Sequence, residues 1–368
     1  MRIGILTFHS AHNFGAMLQA YALQEQIKAE GHDVWIIDYR PRYIYKNRPA
    51  LRKWMFTHGR AWSTIKRYFK ITRKEQKSYD KYEDFIKNYM NITETCHTNF
   101  ELSDVCKKID CIVLGSDQIW NPDFNGNDSA WFGEILKFKG NFILYAVSSG
   151  NKGFNDKSKK LLQKNLHKFT AISVRENNLA LKVSEIIPEY SDISVVLDPS
   201  LMANPKIWEK WKKPIRTDKY VITYQARKDE NVYRIAKGIA NQISLDCKVI
   251  SVDFWENNFR KGVENAIISP AEFVSLINNA QCVVTTSFHG TAFSIICNTP
   301  FYTIRLNDGA DGRSEELLSK LNMLDRMVDK DSSPTLTKLY FEHYGHNLDD
   351  FRKASQNFLN ISIEACNV

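Results

Sequence analysis

The first forty residues constrain the fold more than any other stretch. Residues 1–7 form an apolar run too short for a helix, residues 16–24 are dense in strong helix formers and stop at Gly31, and residues 34–38 are apolar again. Strand, turn, helix and strand in that order make a βαβ unit, which crosses over right-handed and requires a parallel sheet with helices on its faces. Residues 110–114, 141–147, 171–174 and 195–197 read as further short buried strands. After a linker holding Pro205 and Pro214 the pattern restarts, with strands at 220–224, 247–252, 281–286 and 301–304 and helices at 229–242, 270–279 and 290–297. The expected fold is therefore α/β, with two doubly wound Rossmann-like domains at 1–202 and 203–340. A helical insertion at 41–100 interrupts the first, and a tail at 341–368, helical from 346 to 365, packs back across them. Open parallel sheets bind ligands beyond the carboxyl ends of their strands, so the site belongs in the cleft between the domains.

Composition narrows the setting. The apolar runs at 111–114 and 142–147 are far short of the roughly 20 residues that span a bilayer, and the opening run is too short for a secretory signal, so a cytoplasmic chain is expected. Seven cysteines, an odd number without CxxC spacing or paired histidines, read as free and mostly buried thiols, and no metal cluster or cofactor motif is visible. The net charge of +8 is local: residues 40–81 hold 14 Lys and Arg against Glu75 and Asp80, a net of +12 that leaves the rest of the chain at −4. Within that stretch, residues 51–69 alternate apolar and basic side chains near helical spacing. Such a helix fits an anionic membrane surface at the inner face of the cell membrane, a lipid-linked substrate, or packing on its own domain. No recognition motif accompanies the charge, so nucleic acid is not an expected partner.

The chemistry-bearing residues cluster where strands end. The turn after the first strand carries His9, His12, Asn13 and Gly15, which fit either a ligand at the amides of a helix N-terminus or a plain helix cap. Asp117, Gln118 and Trp120 follow the strand at 110–114. A carboxylate, an amide and an aromatic ring suit a sugar, and an Asx turn closing at Pro122 over a core Trp suits them too. Ser148 follows the strand at 141–147. Arg175 and Glu176 end another strand, either as a fork for a carboxylate or phosphate or as an ordinary ion pair. The sharpest feature is Thr285-Thr286-Ser287-Phe288-His289-Gly290, where an apolar strand stops at three hydroxyls and a His stands before a Gly and a new helix. His289 there can exchange a proton near neutral pH. Arg305 and Arg313 follow the next strand and bring positive charge to the same side, or lie in a surface loop.

In order and spacing, Asn13-Phe14-Gly15-Ala16, Gly115-Ser116-Asp117-Gln118-Ile119-Trp120-Asn121-Pro122, Tyr145-Ala146-Val147-Ser148, Ser173-Val174-Arg175-Glu176, Leu197-Asp198-Pro199-Ser200, Ser287-Phe288-His289-Gly290 and Gly312-Arg313-Ser314 resemble the polysaccharide pyruvyl transferase family. The resemblance runs from the first strand to about Arg326. It implies a fold like the GT-B class of glycosyltransferases and transfer of the enolpyruvyl part of phosphoenolpyruvate to a sugar as a cyclic ketal, in capsule, exopolysaccharide or cell-wall glycan assembly. It implies that Arg175 holds the donor and that His289 is the general acid. Asp117 is then the group that orients or deprotonates the acceptor hydroxyl, with Glu176 an alternative. Ser287 departs from the Arg-x-His pattern that many family members carry at this strand end, so either Arg305 or Arg313 replaces the missing cation, with Ser287 and Gly290 beside the donor, or the donor is not phosphoenolpyruvate. His9, His12, Asn13, Gly15, Gln118, Trp120, Ser148 and Glu176 fall to the acceptor, a sugar or lipid-linked oligosaccharide. A GT-B-like glycosyltransferase using a nucleotide sugar, with His289 as base, and a non-catalytic glycan- or membrane-binding protein also fit this fold.

Overall fold

In the computed structural model, which describes residues 1–45, 73–150, 152–190, 193–252, 260–337 and 345–367, the chain builds two six-stranded parallel sheets. The first contains β1 (Arg2–Leu6), β2 (Asp33–Ile36), β3 (Cys111–Asp117), β4 (Asn141–Val147), β5 (Phe169–Val174) and β6 (Ser194–Val195), in the order β2-β1-β3-β4-β5-β6. The second contains β7 (Tyr220–Tyr224), β8 (Lys248–Ser251), β9 (Glu264–Asn265), β10 (Cys282–Thr285), β11 (Phe301–Arg305) and β12 (Met327–Asp329), in the order β12-β11-β10-β7-β8-β9. Counted within its own domain, the second is the 3-2-1-4-5-6 order of dinucleotide-binding folds. Strand order reverses between β1 and β3 in one sheet and between β7 and β10 in the other. β9 and β12 were not legible as strands, because two or three residues carry no apolar period.

Helix α1 (Phe14–Ala29) explains how the two sheets are joined. Thirteen of its 16 residues are buried, on every face, as expected of a helix enclosed on all sides. One side covers its own sheet. The other meets the second domain, where Phe14 stacks on Phe273 with ring centroids 4.7 Å apart. Tyr21 packs against Trp208 and Trp211, in the linker after the short helix α6 (Pro199–Met202) and around α7 (Lys206–Glu209). The described parts of the insertion are α2 (Arg73–Tyr89) and α3 (Asn99–Val105); between them Ile92 and Cys96 bridge to Ile36 and Tyr39 and extend the β2 edge. Residues 51–69, read as a basic amphipathic helix, lie outside the described residues.

The remaining helices flank the sheets: α4 (Asp156–Asn165), α5 (Asn177–Ile186), α8 (Glu230–Ile243), α9 (Pro270–Asn279), α10 (Phe288–Ile296), α11 (Gly312–Lys320) and α12 (Gly345–Glu364). α12 returns to the first domain. There Leu197 N donates to Ser355 Oγ at 2.9 Å, and Arg352 and Gln356 donate to the carbonyls of Leu201 and Met202. All seven cysteines are free and only Cys247 is not buried. Among the described residues no helix is long and apolar enough to cross a membrane.

Candidate active site

The two reversal points face each other, and a cavity of about 590 Å³ opens between them. Phe8, Asn13, Asp117 and Gln118 line it from the first domain, and Ser287, Phe288, His289 and Arg313 from the second. Asn13 caps α1 by accepting from Ala16 N at 3.2 Å, Ser287 is the N-cap of α10, and Arg313 sits in the first turn of α11. Three helix N-termini, each with partial positive charge, thus reach one cavity and favour an anion there.

His289 is held from two sides. Its Nε2 lies 3.5 Å from Asp198 Oδ2, and its Nδ1 makes no hydrogen bond with the described residues. The ring rests on α1 at Gly15, where a Cβ would come within 2.0 Å of His289 Cγ and Nδ1. Only glycine permits that approach. Asp198 is fully buried, accepts from Ser200 N at 2.9 Å, and pairs with Arg175 Nη2 at 2.7 Å. Burial opposes its charge, but Arg175 and His289 outweigh burial and hold the carboxyl well below the usual carboxylate range.

The residues singled out from the sequence separate into two groups. His289, Asp117, Arg313, Ser287, Asn13 and Gln118 line the cavity. With its oxygen toward Arg313, the Gln118 amide accepts from Nη1 at 3.1 Å and Nη2 at 3.2 Å. The Ser287 side chain makes no cap to α10, and among the described residues its hydroxyl has no hydrogen-bond partner. Gly15 contributes by being absent of side chain. The others stand elsewhere. Trp120 is wholly buried, donates from Nε1 to Trp131 O at 2.9 Å and stacks on Phe132, so it has no face for a sugar. His9 and His12 are turned away into pairs with Asp38 and Glu83, each at 2.8 Å. Gly290 packs against Thr285, whose Oγ1 would lie 2.2 Å from a Cβ, and does not touch the cavity. Arg305 is drawn off by Glu315 at 3.1 Å and Asp329 at 3.6 Å.

Arg175 and Glu176 lie behind the cavity wall. Arg175 stacks under Phe288, with its guanidinium carbon 5.1 Å from the ring centroid, and its Nη2 donates to Ser116 Oγ at 2.5 Å. Among the described residues its Nε and Nη1 are buried without a hydrogen-bond partner. Both residues line a smaller cavity of about 240 Å³, closed by Phe351 and Phe358 of α12 and separated from the larger one by Phe288 and Arg313. Glu176 accepts from Ser148 Oγ at 2.7 Å; burial raises its carboxyl even though Arg175 and Arg313 pull it down. Ser148 is buried and committed to this contact. Sequence reasoning left two positions without a role. Asp198 and Ser116 stood only inside motifs of the family resemblance, with no task of their own.

A family model for polysaccharide pyruvyl transferase matches residues 13–308, a span that holds every site residue expected from the sequence except His9, His12 and Arg313. The chain belongs to the polysaccharide pyruvyl transferase family. It is accordingly an enzyme of that class, and its cavity lies inside a fold shared more widely. The UDP-N-acetylglucosamine 2-epimerase from Rickettsia bellii is 12% identical, with a TM-score of 0.52 over 100% of this chain and 96% of its own. The UDP-GlcNAc 2-epimerase of Methanocaldococcus jannaschii, solved with UDP-GlcNAc and UDP, is 13% identical over 97% and 93%, with a TM-score of 0.47. The spinosyn rhamnosyltransferase SpnG is 11% identical over 100% and 95%, with a TM-score of 0.45. At 12% identity the likeness to the Rickettsia bellii epimerase is one of fold alone, two Rossmann-like domains across a cleft. No curated protein matches the chain by sequence.

Proposed function

We propose that this member of the family moves the enolpyruvyl group of phosphoenolpyruvate onto two hydroxyls of a glycan-precursor sugar, releasing phosphate and closing a cyclic ketal. The observation that carries the reading is the His289–Asp198 pair at the wall of a cavity that three helix N-termini and Arg313 make attractive to anions. Arg313 and the α10 N-terminus hold the phosphate and carboxylate, and the Ser287 hydroxyl adds a hydrogen bond. Asp198 occupies Nε2 of His289, so Nδ1 delivers a proton to the methylene carbon of the donor. The carbon bearing phosphate becomes oxocarbenium-like, and a sugar hydroxyl oriented by Asp117 adds to it and gives up its proton. The carbon–oxygen bond to phosphate then breaks, and the second hydroxyl completes the ketal. One of the two hydroxyl protons ends on the new methyl group by way of His289, and the other leaves with phosphate.

Ligand-dependent thermal unfolding tests the donor. Phosphoenolpyruvate at 100 times Kd adds about 2.7 kcal/mol, or about 3 °C for a chain of this length. The shift is expected in the wild-type chain and no more than about half as large in Arg313→Ala at the same concentration. A shift with nucleotide sugars and none with phosphoenolpyruvate overturns the reading in favour of glycosyl transfer. A lipid-linked acceptor at the membrane face belongs to the same proposal and is supported by the charge of residues 40–81. Liposome binding that survives neutralisation of those charges removes that part.

A further inference from the structure

The acceptor needs a surface for the apolar face of its ring, and the buried Trp120 does not provide one. We infer that Phe124, which lines the same cavity as Tyr43, is the platform on which a pyranose acceptor stacks; the inference rests on the pyruvyl-transfer reading.

Phe124 lines the cavity yet is 53% exposed, belongs to no hydrophobic cluster, and has no aromatic partner among the described residues. An exposed ring at the end of a mobile loop would mean little, but the loop that carries this one is braced throughout. Asn121 N donates to Gln118 O, Phe124 N and Asn125 N donate to Asn121 O, and Asn121 Oδ1 accepts from Asp123 N, all at 3.0 Å. Tyr43 is braced as well: its hydroxyl donates to Asp128 Oδ2 at 2.9 Å and accepts from Trp131 Nε1 at 2.6 Å. Its ring lies so close over Gly126 that a Cβ there would come within 2.7 Å. Two rigid aromatic surfaces therefore stand at the cavity wall together with Ile44 and Pro122. Beside them is the Asp123 carboxylate, paired with Lys152 at 3.1 Å and half exposed, an acceptor for ring hydroxyls. Rigid aromatic area next to a carboxylate is the chemistry that holds a pyranose, with its apolar face on the ring and its hydroxyls on the acid. All of these groups come from the first domain, whereas His289, Ser287 and Arg313 come from the second, so a sugar on Phe124 meets the donor across the cleft.

The test uses the full chain and methyl pyranosides of galactose, glucose and mannose as probes. In the wild-type chain, saturation-transfer NMR should show irradiated aromatic protons relaying to the pyranoside ring, and Phe124→Ala should lose that transfer. In steady state Phe124→Ala should raise the KM of the acceptor about 10-fold, leave the KM of phosphoenolpyruvate and kcat unchanged, and be rescued by Phe124→Trp. If wild-type chain transfers pyruvate but Phe124→Ala leaves the acceptor KM unchanged, the platform is wrong and the reaction stands. If wild-type chain makes no use of phosphoenolpyruvate, the reaction is wrong, and the NMR arm alone decides the platform: transfer lost in Phe124→Ala supports it, and transfer unchanged or absent in wild type overturns it.

Discussion

Replacing Gly15 by alanine should inactivate the enzyme while barely changing its stability. The new Cβ would lie 2.0 Å from Cγ and Nδ1 of His289 and 2.6 Å from its Cβ. Rotating the imidazole relieves the first two contacts and not the third, so α1 and α10 must also move apart. Overpacking of this kind costs about 1–3 kcal/mol. Alanine in a helix returns up to about 1 kcal/mol of that, leaving a net loss of about 0–2 kcal/mol. With an unfolding entropy of about 2.1 cal/mol/K per residue, the Tm falls by no more than about 3 °C. Catalysis is more sensitive, since a displacement of about 1 Å of the proton donor costs on the order of 100-fold in rate. Gly238 on α8 is the control, because a Cβ there meets nothing within 4 Å, and Gly238→Ala should leave activity intact. The assay is phosphate release from phosphoenolpyruvate in the presence of acceptor, with calorimetry on the same samples. Full activity in Gly15→Ala would refute the claim that α1 sets the position of His289.

Other consequences follow from the same contacts. Asp198→Asn removes the anion beside His289 and leaves Arg175 buried without its charge partner; it should destabilise by about 3–5 kcal/mol in calorimetry. An unchanged unfolding temperature would show that Asp198 does not hold Arg175. Arg313→Ala should raise the KM of phosphoenolpyruvate by about 10-fold or more, the scale of a lost charged hydrogen bond, whereas Arg305→Ala, at a residue tied to Glu315 and Asp329, should leave it unchanged. Burial tends to raise the Glu83 carboxyl, but the hydrogen bond from His12 and the charge of Arg40 prevail and hold it at about 2. A carboxyl depressed by folding stabilises above its unfolded value and loses that contribution as the pH falls. Denaturant unfolding should therefore show stability declining from about pH 4.5 to pH 2, and Glu83→Gln should flatten the decline. Equal slopes in the two chains would contradict it.

The architecture was legible because parallel strands buried on both faces read as short apolar runs and because each was followed by its turn and helix. The edge strands β9 and β12 escaped, being too short to carry a period. For the site, the sequence located the right strand ends without showing which way their side chains turn. Trp120 and Phe124 are four residues apart in one loop, and the first is buried under Trp131 O while the second faces the cavity. Nothing local distinguishes them, since the choice depends on the packing of Phe132 and Phe154 around Trp120. His9 and His12 looked available because their partners, Asp38 and Glu83, lie 29 and 71 residues away. Asp198 was hidden by its own motif: an Asp before Pro199 reads as a helix cap, which it is, and its second task appears only when Arg175 and His289 are brought against it.

The most direct test of the central claim is to incubate wild-type chain and His289→Asn with phosphoenolpyruvate and the pyranoside panel, following phosphate release and the mass of the sugar product. The account predicts phosphate and a pyruvate ketal in equal amounts from the wild-type chain and neither from the variant at the same fold stability. Ketal formed at an undiminished rate by His289→Asn would contradict it.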